Sequence, residues 1–137
     1  MQIELLLILQ ILFVHWISDF VFQSSWMATN KSKNWLALGS HVLVYTLSMG
    51  FLMLTCGVIV AAAFSNIIGG AIMIITPLAF VKWIVLNGVL HFITDAVTSR
   101  ITARLWKKND MHNFFVVVGF DQFIHYSCLI ITLLMFV

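Results

Sequence analysis

The sequence predicts an all-α integral membrane protein: one domain, residues 1–137, folded as an antiparallel bundle of four transmembrane helices. Three observations predict it. Apolar residues make up 62 % of the chain and charged residues only 9 %, whereas soluble domains are roughly a quarter charged, and mean hydropathy is +1.07. The apolar residues gather into runs long enough to cross a hydrocarbon core of about 30 Å. Six of the seven basic residues lie outside those runs, too few to form the broad basic face that nucleic acid requires.

The first run, residues 3–22, is of transmembrane length. A signal peptide would carry a basic leader and a small-residue cleavage site. Met1-Gln2-Ile3-Glu4 offers neither, and His15 and Asp19 interrupt the apolar stretch, so a retained span is expected. Residues 23–34 form a polar connection with Lys31 and Lys33, and a second span covers 40–62. Ser65-Asn66 and Gly69-Gly70 predict a turn. The third run, 67–97, is too long to cross upright at 1.5 Å per residue; Pro77 either kinks it or starts the span proper. On the second reading Lys82 and Trp83 sit at the outer interface. The third helix then continues into the cytoplasm through Arg100, Arg104 and Lys107. Residues 109–113 form a polar turn holding a solvated His112, and 114–137 is the last span.

Loop charge sets the orientation. Lys31, Lys33, Arg100, Arg104, Lys107 and Lys108 fall on one side, and residues 65–70 opposite carry no basic residue. The positive-inside rule makes the basic loops cytoplasmic and puts both termini outside. Trp26, Trp35 and Trp106 read as interfacial anchors. The phenylalanines and methionines read as lipid-facing or packing residues, and Cys56 and Cys128, isolated in apolar runs, as small packing residues.

Chemistry enters through three His/Asp pairs at i,i+4 spacing: His15/Asp19, His91/Asp95 and Asp121/His125, with His41 opening a further span. Four residues place both members of a pair on one helix face. A lone carboxylate in hydrocarbon costs several kcal/mol, so such residues face a partner, a cavity or an ion. The up-and-down path puts all seven in the cytoplasmic half of the bilayer, as one ring. Asp19, Asp95 and Asp121 bring three negative charges, and the spans offer no basic residue at that depth. Either some carboxylates are protonated, raised by desolvation and mutual repulsion, or positive charge is bound; the second predicts a divalent metal, zinc before iron or manganese, with His15, Asp19, His41, His91, Asp95, Asp121 and His125 as candidate ligands. Gln23 and Tyr45, one turn beyond Asp19 and His41, extend the same stripes toward ligands or substrate, as Gln122 does beside Asp121. Arg100, Arg104 and Lys107 are positioned for anionic lipid or a phosphate-bearing ligand.

The segments HWISDFVFQSSWMATNK (residues 15–31), HVLVY (41–45), HFITDAVTSR (91–100) and FDQFIH (120–125) resemble, in order, the blocks of an uncharacterised family of small bacterial and phage membrane proteins, domain of unknown function 3307. The resemblance implies a bacterial inner membrane, with both termini periplasmic, several spans and a shared polar site at His15, Asp19, Gln23, His41, His91, Asp95, Asp121, Gln122 and His125. It implies no activity. It also leads one to expect a lysine where this chain has Thr98.

Three functions compete. The first is a metal-dependent hydrolase of a lipid-linked or membrane-soluble substrate, with Asp19, Asp95 or Asp121 as general base. The second is a carrier or channel component, which four helices could form only as a homo-oligomer and which needs a polar path to the outer leaflet. The third is a non-catalytic protein whose ring fixes the bundle and whose role is binding a membrane protein partner, for instance as a phage exclusion or host-takeover factor. The apolar outer halves rank the hydrolase above the carrier.

Overall fold

The computed structural model describes residues 2–68 and 76–136, and among them it is helical apart from short turns, with no strand. Helix α1 (Gln2–Trp16) runs into a π-helical turn (Ile17–Val21), followed by the short α2 (Ser25–Asn30) and three long helices: α3 (Trp35–Ile68), α4 (Pro77–Lys107) and α5 (Met111–Phe136). Within the long helices, Trp35–Ile59, Pro77–Lys107 and Met111–Phe136 are long and apolar enough to cross a membrane; Leu5–Val21 is a shorter apolar helix.

Several elements differ from the sequence expectation. The polar connection 23–34 folds a helix of its own, because Ser24 Oγ accepts from the Met27 amide at 3.3 Å and caps α2. Ser65 and Asn66 do not turn but belong to α3; Gly69-Gly70 lies outside the described residues. Pro77 starts α4 rather than kinking it: Thr76 Oγ1 caps the Ala79 amide at 3.2 Å, and proline fits the first helical position because no intrahelical partner awaits its missing N–H. Trp83 is no interfacial anchor. It is fully buried, and its indole N–H donates to the Leu129 carbonyl at 3.1 Å.

Between α4 and α5 the chain reverses at Asn109, whose φ of 57° lies in the left-handed region that asparagine tolerates. The Asp110 amide bonds the Leu105 carbonyl and the Asn109 amide bonds Trp106, both at 3.0 Å, a Schellman closure. Asp110 then caps α5 by accepting from the Asn113 backbone amide at 3.2 Å and side-chain amide at 2.8 Å. The last helix thus begins at Met111, and His112 is exposed in its first turn rather than in a loop.

Packing is inside out relative to a soluble bundle. On α4, Val81, Val85, Val89, Ile93 and Val97 are 52–56 % exposed, while Asn87, His91, Asp95 and Thr98 are buried. An apolar stripe facing outward over several turns fits lipid and not water. Every buried polar group must then find its partner inside the protein. Asn87 shows how: its side-chain amide donates to the Trp83 carbonyl and to Thr132 Oγ1, both at 2.8 Å. Gly88 lets α3 come close beside this layer, since a Cβ there would stand 2.5 Å from Thr46 Oγ1. Ile11, Val14, Tyr45, Met49, Met53, Trp83 and Leu129 form the apolar core next to the His/Asp layer.

Candidate metal centre

Four elements each deliver ring residues to one buried place. The π-helical turn carries Asp19; its Phe22 amide reaches back to the Ile17 carbonyl at 3.0 Å. Inserted π turns of this kind often sit at functional sites. Helix α3 supplies His41, α4 supplies His91 and Asp95, and α5 supplies Asp121 and His125. Of these, His41, His91, Asp95, Asp19 and His125 are all 3 % exposed or less.

Their reactive atoms converge. His41 Nε2 lies 3.1 Å from His91 Nε2, 3.2 Å from Asp19 Oδ1 and 3.1 Å from Asp95 Oδ2. His91 Nε2 lies 3.5 Å from Asp19 Oδ1 and 3.7 Å from Asp95 Oδ2. On the other side of Asp95, His125 Nε2 is 3.4 Å from Asp95 Oδ1 and 3.5 Å from Asp121 Oδ1. The separations above 3.2 Å are too long for good N–H···O hydrogen bonds. They do match the edges of a coordination shell, about 3.3 Å for a tetrahedron with bonds of about 2.0–2.1 Å. Three overlapping groups could hold an ion: Asp19/His91/His125, His41/His91/Asp95 and Asp95/Asp121/His125.

The other sequence-predicted residues divide. Tyr45 stacks on the His91 ring with centroids 3.9 Å apart, and its hydroxyl pairs with His15 Nδ1 at 3.1 Å. His15 joins none of the three groups; its Nε2 reaches only Asp19 Oδ2, at 3.7 Å. Gln122 donates to Asp19 Oδ2 at 3.2 Å and to Asp121 Oδ2 at 3.0 Å, tying two carboxylates together. Gln23 lines a cleft above the ring, and its Oε1 has no hydrogen-bond partner. Arg100, Arg104 and Lys107 stand away from the ring, around a neighbouring hollow.

Two participants were not foreseen. The sequence reading placed no basic residue at the depth of the ring, and Lys31 overturns it. From the end of α2 its ammonium donates to Asp95 Oδ2 at 2.7 Å and approaches His41 Nε2 at 3.4 Å. Its place as the last residue of the first sequence block was the available signal. Thr98, where a lysine was expected, instead donates to Asp121 Oδ1. With three carboxylates ionised and Lys31 charged, the site still carries two excess negative charges, a deficit that one divalent cation or two imidazolium rings would fill.

A cleft of about 480 Å³ opens onto the ring, with Asp19, Asp95 and Asp121 among its lining. Three carboxylates at the bottom of an open cleft combine cation affinity with access for a reactant.

No curated protein and no solved structure matches the chain. The helices that assemble this ring all lie within the stretch, residues 6–137, that matches the model of the family described as protein of unknown function (DUF3307), and to that family the chain belongs.

Proposed function

We propose that this protein crosses the membrane four times and binds a divalent metal at the His/Asp ring, where it hydrolyses a lipid-linked or membrane-soluble ester. Helix α1 and the π turn, 15 and 5 residues, would together span about 30 Å. Short connections then make neighbouring helices antiparallel. The clustering of Lys31, Lys33, Arg100, Arg104, Lys107 and Lys108 supports a cytoplasmic cleft, a cytoplasmic end of α4 and outside termini.

The convergence of His41, His91 and His125 Nε2 on oxygens of Asp19 and Asp95, with His91 and His125 at polyhedron-edge rather than hydrogen-bond spacing, carries the metal reading. Nitrogen and carboxylate donors suit zinc, and also iron or manganese. Asp95 presents Oδ2 to His41 and Oδ1 to His125, so one or two ions fit. A bound ion would supply Lewis acidity and a water acidified toward neutral pH.

The chain's own groups do the rest. Asp121, the most exposed of the three aspartates at 14 % of its side chain, is oriented by Thr98 and Gln122. Facing the cleft, it takes the proton from the attacking water. The water oxygen bonds to the ester's electrophilic centre, and the bond to the leaving oxygen breaks with its electron pair. That oxygen takes up the proton that Asp121 removed from the water, which returns Asp121 to its carboxylate form.

Reconstitution with cobalt tests the metal reading directly. Tetrahedral His/Asp coordination should give strong visible d–d bands that His91→Ala abolishes. A spectrum indistinguishable from free aqueous cobalt would refute it.

A further inference from the structure

The cleft has chemistry at its mouth that metal binding does not need. It adjoins a second hollow of about 300 Å³ lined by Ser32, Lys33, Arg100, Ala103, Arg104 and Lys107, four of them basic and none acidic. Ser32, Lys33, Ala103 and Lys107 line both, so a basic rim lies directly beside the acidic floor. Membrane topology requires positive charge in the loops, but not its convergence on the opening of an acidic cleft. Arg100 is also held in place: its guanidinium lies 4.1 Å over the Trp35 ring and donates to the Ala96 carbonyl. Among the described residues, the ion pair made by a lysine or arginine is Lys31–Asp95, which leaves Lys33, Arg104 and Lys107 free for an anion. Ser99 Oγ, in the cleft wall, has no hydrogen-bond partner. Phe20, Phe114 and Val118 add apolar surface to a wall that also carries Gln23, Thr29, Thr98 and Thr102, and Phe20 is 44 % exposed.

We infer that the cleft and its basic rim take an amphiphile with a phosphate-type head. Lys33, Arg104 and Lys107 hold the phosphate oxygens, the ester side faces the ring, and the alkyl chain leaves along Phe114 and Val118 into the bilayer. Guanidinium and ammonium donors recognise phosphate through charge-assisted hydrogen bonds. The inference names the substrate class of the proposed hydrolase and rests on that reading for the direction of the ester, but the rim can be tested without metal or turnover.

The probe is radiolabelled dodecyl phosphate, bound to the full-length protein in a maltoside detergent, with and without chelator. Saturable binding is expected. It should weaken about tenfold or more when Lys33→Gln and Lys107→Gln are combined, since two rim charges are lost. Both side chains are exposed, so the fold should survive. Lys82→Gln, which removes an exposed charge elsewhere on α4, should change binding less than about twofold. An unchanged affinity in the double variant, or equal competition by dodecanol, would overturn the phosphate head. Competition by inorganic phosphate as strong as that by dodecyl phosphate would overturn the amphiphile and make the ligand a free phosphate ion. Rim-dependent binding that persists in metal-free protein would uphold the inference even if the metal reading fails.

Discussion

Asp95 joins the two halves of the ring, its Oδ2 facing Lys31 and His41 and its Oδ1 facing His125. Replacing it by asparagine keeps the shape and removes one charge. Asp95→Asn should therefore lower metal affinity by about tenfold to a hundredfold, the range for losing an important coordination-sphere group, as read by competition with a chromophoric chelator. Lys31 predicts the opposite sign. Its ammonium competes for Asp95 Oδ2 at 2.7 Å, so Lys31→Met should tighten metal binding, and weaker binding in that variant would show that Lys31 supports the site. Protons compete for the same imidazoles, so affinity should fall as pH drops below the usual histidine value of about 6.5. At this scale the sequence was most legible where spacing mattered. The i,i+4 rule matched His91/Asp95 and Asp121/His125, each on a single helix, whereas His15/Asp19 runs from α1 into the π turn and is left 3.7 Å apart. Lys31 was hidden because it meets Asp95 across 64 residues, and no helical period connects them.

Each element holds the ring through a local device, and these can be tested one at a time. Gly88 permits close approach: Gly88→Ala would press a Cβ to 2.5 Å from Thr46 Oγ1 and 3.3 Å from its methyl, so turning the threonine only exchanges one clash for another. It should cost about 1–3 kcal/mol. Gly39, also helical, has nothing within 4 Å of its would-be Cβ, so Gly39→Ala should add about 0.5–1 kcal/mol. Thermal midpoints moving the same way in both variants would contradict the packing account. Asp110 supplies a pH-dependent device at the start of α5, where hydrogen bonds from Asn113 hold its carboxyl below its ordinary value of 3.8. A depressed carboxyl stabilises above its unfolded value, and that contribution is lost as pH falls through the folded one. Amides in the first turn of α5 should accordingly lose protection below about pH 4, and Asp110→Ala should lose it already at neutral pH. The long helices were readable from their apolar length. Helix α2 and the π turn were not, because both are too short for periodicity to register; a serine cap specifies α2.

For the molecule as a whole, an outward apolar surface around a buried polar ring defines the account. The buried His91 and Asp95 of α4 were legible in their spacing within an apolar run, whereas the outward Val/Ile stripe opposite them emerged only from the packing. The layer of Trp83, Asn87 and Thr132 was not legible either, because tryptophan beside lysine also fits an interface, and only packing against Leu129 decides between them. If the basic loops face the cytoplasm, cysteines placed at Ser32 and Lys108 should react with an impermeant reagent only in inside-out vesicles; reaction only in right-side-out cells would reverse the topology. A divalent metal held by the converging His/Asp side chains is the element on which the rest of the functional reading depends. Elemental analysis of the full-length protein, purified in mild detergent without chelator, tests it most directly. The account predicts about one or two divalent ions per chain, their loss in the His91→Ala/Asp95→Asn double variant, and a lowered thermal midpoint on chelation. Well under one ion per chain, with a midpoint that chelator leaves unchanged, would contradict it.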